Sequence, residues 1–147
     1  MTYFTALVIL LSLAVLLFAG TLWSKRYGGY IPEPFRSRSC QGKNWKRAFA
    51  ESNKEEIRSL LLIFAESFAF RPNQKLQVAP DDKVLTVYRA LYPRGDGIDA
   101  LELETLATKI ERKYGFSFNK VWNEELTFGQ LFLAAQTQTH RRASGDA

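Results

Sequence analysis

Few groups in the chain have types and spacing that could do covalent chemistry. Three pairs of carboxylates lie close in sequence: Asp81/Asp82, Glu102/Glu104 and Glu124/Glu125. Such pairs serve as general acid and base only when burial or a neighbouring charge shifts their pKa values. Nothing in the surrounding sequence buries them, so they read as solvated surface. The single histidine, His140, stands in a polar C-terminal stretch. It has no partner at metal-ligand spacing and no nucleophile near it. Cys40 is the sole cysteine, which rules out an intramolecular disulfide and a cysteine metal cluster and fits a reducing compartment. It reads as a free thiol, with reversible acylation as the alternative. No glycine-rich phosphate loop is present, because GDG at Gly95–Gly97 lacks the lysine and the preceding strand. The expectation is therefore no enzyme, no catalytic residue, no metal and no cofactor.

The stretch YPRGDGIDALELETL, Tyr92–Leu106, has the form of a loop that presents a residue for chemistry. It runs from a tight turn into an acidic amphipathic helix. Asp96 and Asp99 are suited to cap that helix, where a carboxylate satisfies free N–H groups and the macrodipole. Gly97 tolerates the backbone angles of a tight turn. An EF-hand calcium loop is excluded by register, since Ile98 directly follows Gly97 and the upstream positions carry Leu91, Tyr92 and Pro93. The tripeptide Arg94–Asp96 reads as chance.

Helical periodicity supplies the elements around this turn. Ser52 and Glu55 form a capping-box pattern, followed by Ile57, Leu60, Leu61, Phe64 and Phe68 at helical spacing. A strong helix is predicted over about Asn53–Phe70. Lys43–Glu51 and Val84–Leu91 are predicted as short helices, with a loop around Pro80 between the longer elements. A second strong helix starts at Asp99, places Leu103, Leu106, Ile110 and Tyr114 on one face, and stops at Gly115. Phe116 and Phe118 fall in an extended turn, and Trp122 in a short piece after it. Thr127 and Gln130 form another capping-box pair. They open a last helix to about Gln136, with Leu131, Phe132 and Ala135 facing inward. The soluble part is thus all-α, three main helices with long loops, and its aromatic residues form the core that a small bundle needs.

The pattern GDGIDALELETL, then IERKYGFSF, then LTFGQLFLAA resembles the acyl carrier protein family over about Glu55–Gln136. Asp96, Ile98, Asp99, Leu101, Glu102 and Leu103 match the family's serine loop and early second helix. Ile110, Glu111 and Tyr114 match the end of that helix, and Thr127, Gln130 and Leu131 match the last helix. The resemblance implies a three- or four-helix carrier-like bundle that docks protein partners. Gly97 stands where the family's phosphopantetheine-bearing serine belongs, so no hydroxyl is there to accept the arm. Lys109, Arg112 and Lys113 dilute the acidic face that carriers show to their enzymes. The expected partner surface is Asp96, Asp99, Glu102, Lys109, Arg112 and Lys113. An acyl chain or lipid held non-covalently is the alternative ligand.

Location is read from the N-terminus. Tyr3–Trp23 carries no charge and is long enough to cross a hydrocarbon core of about 30 Å. A cleaved signal peptide would want a basic start, which Met1–Phe4 lacks. Residues 1–23 are expected as a single transmembrane anchor and 24–51 as a basic juxtamembrane linker. Residues 52–137 are the helical domain and 138–147 a flexible tail. Residues 24–50 carry seven bases and one acid, a local balance of +6, whereas residues 51–147 balance at −1. The excess of bases after the apolar segment puts the N-terminus outside and the domain in the cytoplasm. Lys25, Arg26, Arg36, Arg38, Lys43, Lys46 and Arg47 are expected at the membrane surface, with Trp45 and Phe49 dipping into it. The confinement of positive charge to this segment argues against a nucleic-acid partner.

Overall fold

A computed structural model of the chain describes residues 29–95 and 100–145, together with Ser12. The helices are α1 (Gly42–Ala48), α2 (Lys54–Ser67), α3 (Val84–Leu91), α4 (Leu101–Tyr114) and α5 (Phe128–Gly145). Short 3-10 helices, Pro72–Gln77 and Phe118–Lys120, lie between them. The described residues hold no strand, only isolated bridges pairing Gly29 with Phe70 and Lys83 with Thr127. The all-α expectation holds. No described helix is long and apolar enough to cross a membrane. Apart from Ser12, the Tyr3–Trp23 segment expected to do so lies outside the described residues, as do Lys25 and Arg26.

α2 starts one residue later than the Ser52–Glu55 pattern predicts. Asn53 is the cap, its side chain accepting from the Glu55 N–H at 2.9 Å. Ser52 Oγ instead accepts from Gln136 Nε2 on α5. At the other end α2 stops at Ser67, because Ala69 adopts a left-handed conformation (φ 53°). The Phe70 N–H then returns to the Ala65 carbonyl and the Ala69 N–H to that of Glu66. This is the Schellman pattern with alanine where glycine is usual, and it turns Phe70 into the core at 5% exposure.

α4 begins at Leu101 rather than Asp99, with Ala100 left-handed (φ 57°) ahead of it. It ends as predicted at Gly115 (φ 72°), whose N–H reaches the Glu111 carbonyl. The Thr127–Gln130 capping box forms in both directions: the Thr127 N–H donates to Gln130 Oε1 and the Gln130 N–H to Thr127 Oγ1. α5 runs on to Gly145, so residues 138–145 are helical and not the expected loose tail. A side chain at Gly115 would collide with the Arg142 guanidinium, which lies against it. That contact needs α5 to extend at least that far.

α2 packs against α4 and the Pro72–Gln77 turn, and α4 packs on α5. The core between them is aromatic. Phe64 lies edge-on to Phe128 at 4.6 Å between ring centres, and Phe49 to Phe132 at 4.9 Å. Such pairs add about 0.5–1.5 kcal/mol each beyond their buried area.

The largest departure concerns the expected linker. From Gly29 onward it belongs to the folded domain. Ile31, Phe35 and Trp45 are each 2% exposed or less. The Gly29 N–H bonds to the Ala69 carbonyl, and the Ile31 N–H to the buried Gln74 side chain. The Trp45 indole donates to the Val78 carbonyl at 2.9 Å. Trp45 therefore packs in protein, edge-on to Phe132, and does not dip into a membrane interface. The sequence lacked periodicity here because three separated anchors, not a regular helix face, hold the segment down.

Candidate functional site

Two surfaces compete for the role of binding site. The first is the exposed side of α4. Asp96 and Asp99 lie outside the described residues, as does Gly97. Glu102 is half-buried and accepts a hydrogen bond from the Tyr92 hydroxyl, which ties α4 to the end of α3. Lys109 reaches Glu66 on α2 at 3.2 Å. Lys113 donates to Ser59 Oγ, also on α2, and lies 5.7 Å from the Tyr114 ring centre. Three of the four described candidates thus hold the bundle together. Arg112 alone among them is exposed with no side-chain hydrogen bond or ion pair to another described residue. The spacing that makes these residues look like a docking face also faces them toward α2 and α3.

The remaining polar residues from the sequence are similarly occupied or solvated. Asp82 binds the Arg38 guanidinium through both carboxylate oxygens at 2.8 Å and also accepts from the Ala79 N–H. Arg38 in turn lies 4.6 Å from the Phe35 ring centre. Arg38 thus has a role in holding the fold. Arg36 pairs with Glu33 at 2.9 Å. Glu124 pairs with Arg89 and Glu125 with Lys83. Asp81, Glu104 and His140 are exposed. No three His, Cys, Asp or Glu residues gather as a metal site among the described residues. Tyr114 has its phenol pKa raised, first by burial and then by the Glu56 carboxylate.

The second surface is a groove of about 410 Å³ where α1 meets the start of α2. That volume is within the ~300–1,000 Å³ range of small-molecule pockets. Its floor is Trp45, Phe49, Ile57 and Leu76, of which Trp45 and Ile57 are buried and Phe49 and Leu76 half-buried. Its rim is Lys43, Lys46, Lys54 and Arg58, and no carboxylate of a described residue lines it. Arg58 is paired with Glu55 at 2.6 Å. Lys43, Lys46 and Lys54 are exposed and form no ion pair or side-chain hydrogen bond with any described residue. Cys40 lies exposed at the groove's edge.

The local sequence explains the groove. Trp45 in α1 and Phe49, the residue that caps its end, are four apart and fall on one side, and their rings stack at 5.7 Å. Lys43 and Lys46 flank that face. The signal was present in KNWKRAF, but its aromatics and lysines fit a membrane interface equally well while Ile57, Leu76 and Lys54 were not known to be neighbours. Leu76 arrives through the 3-10 turn, which the Gln41 N–H fastens at the Leu76 carbonyl at 2.7 Å.

The class these features define is an all-α bundle with an apolar, cation-rimmed groove. Comparison with protein-family models, curated proteins and solved structures finds no match.

Proposed function

We propose that the protein is a non-enzymatic binding module, held at a membrane by its N-terminal apolar segment with the helical domain on the cytoplasmic side. Its ligand surface is the α1–α2 groove, and its ligand is an anion with an apolar part. The observation that carries this reading is the set of three lysines that stand above an apolar floor without a partner among the described residues. Exposed cations otherwise gain little by standing together, since like charges repel. The acyl-carrier-like character rests on the Asp96–Leu103 and Thr127–Leu131 sequence patterns, and glycine at position 97 supplies no attachment hydroxyl. Protein docking through α4 is the second reading, and exposed Arg112 favours it.

Anilinonaphthalene sulfonate, an apolar anion whose emission rises on burial, separates the two surfaces. The full chain in neutral lipid nanodiscs is expected to bind it in excess of empty nanodiscs. Lys43→Glu/Lys46→Glu/Lys54→Glu should abolish that excess and Arg112→Glu should not. The opposite pattern sinks the groove reading in favour of α4.

A further inference from the structure

We infer that the groove takes a single acyl chain ending in an anionic head, a carboxylate or phosphate, as its ligand. This rests on the groove being the binding surface and names what occupies it. The chemistry of the lining selects the class. Three ammonium groups with no partner among the described residues stand at the rim, so the head supplies acceptors and negative charge. Among the described residues the lining has no carboxylate or amide side chain, and its one hydroxyl, Ser52, lies outside the floor and is engaged with Gln136 of α5. The indole N–H of Trp45 is committed to the Val78 carbonyl. The floor therefore offers no free side-chain acceptor.

An extended acidic peptide brings an N–H donor with every residue, and each one buried without an acceptor is costly. A hydrocarbon chain brings none. It gains from contact with Trp45, Phe49, Ile57 and Leu76 while its head stays at the rim. A zwitterionic or cationic head is disfavoured because the rim holds only cations.

Cys40 provides the readout, since it is the chain's sole cysteine and lies exposed at the groove's edge. Maleimide alkylation of Cys40 would be followed in the full chain in neutral nanodiscs. Acetate, hexanoate, octanoate, decanoate and decanol would each be added below micelle-forming concentrations. Protection is expected from the longer carboxylates, with apparent affinity rising about fourfold per added methylene until the floor is covered. Decanol should protect at least tenfold less well than decanoate. Lys43→Glu/Lys46→Glu/Lys54→Glu should lose protection while its urea midpoint stays unchanged. A reporter on α4, Glu104→Cys in a Cys40→Ser chain, should show none.

Equal protection by acetate and decanoate would overturn the acyl chain and leave an anion groove. Equal protection by decanol and decanoate would overturn the anionic head. Protection that survives the charge reversal, or appears equally at position 104, would mean the ligand sits elsewhere. Dye binding that an acidic peptide displaces and decanoate does not would replace the lipid by a peptide. Loss of both dye binding and decanoate protection in the unmodified chain would remove this inference together with the reading beneath it.

Discussion

Residues 29–51 and α4 exchange the roles that their sequences announce. The first segment, rich in bases and poor in periodicity, reads as a linker, yet it supplies Ile31, Phe35 and Trp45 to the core. α4, with its mixed charges, reads as a docking face, yet Glu102, Lys109 and Lys113 are joined to Tyr92, Glu66 and Ser59. The difference teaches that a charged residue marks a binding surface only if the fold leaves it without an internal partner. Among the described residues Lys43, Lys46 and Lys54 meet that condition, whereas Glu102, Lys109 and Lys113 do not.

The largest test of this contrast is Trp45→Ala. If residues 29–51 are integral to the domain, it should cost about 3–5 kcal/mol in urea unfolding. A tryptophan in a solvated linker would change stability by no more than about 0.5 kcal/mol, and that outcome would restore the linker.

Glu102→Ala comes next. Losing the Tyr92 bond should destabilise the full chain by about 0.5–1.5 kcal/mol, with dye binding in the groove unaffected. Unchanged stability would return Glu102 to the list of free docking residues. Lys109→Ala removes a partly exposed ion pair and should cost only about 0.2–1 kcal/mol, read from the same unfolding curves. The smallest stability effect belongs to the groove lysines, where each reversal to Glu should stay within about 0.5 kcal/mol while ligand binding is lost. A large stability loss there would show that these lysines, too, serve the fold.

Intact mass sharpens the comparison from the carrier side. With glycine at position 97 and no serine or threonine between Tyr92 and Leu101, the full chain from its native membrane is expected to carry no phosphopantetheine. An added arm at stoichiometry would move the functional centre back to α4.

The helices were legible because their signals are local. Ile57, Leu60, Leu61 and Phe64 repeat at the helical period and are all buried. Thr127 and Gln130 are three residues apart and bond each other across the start of α5. Gly115 stops α4 because it can hold φ 72°. The Ser52–Glu55 pattern is just as local but did not form, since the neighbouring Asn53 took the cap and Gln136, distant in sequence, engaged Ser52. The groove was illegible for the same kind of reason. Its floor joins Trp45 of α1 and Phe49 just after it to Ile57 of α2 and to Leu76 of a 3-10 turn, and no periodicity relates positions that far apart.

By itself, the sequence determined the all-α class, the positions of its main helices and most of the inward-facing residues. Those follow from side-chain spacing and capping within a few residues. It also determined that no serine or threonine stands between Tyr92 and Leu101. Only the tertiary structure decided which charges are spent within the fold and which stand over an open apolar floor. Pairing depends on distance in space, and the partners of Glu102, Lys109 and Arg38 lie 10, 43 and 44 residues away along the chain.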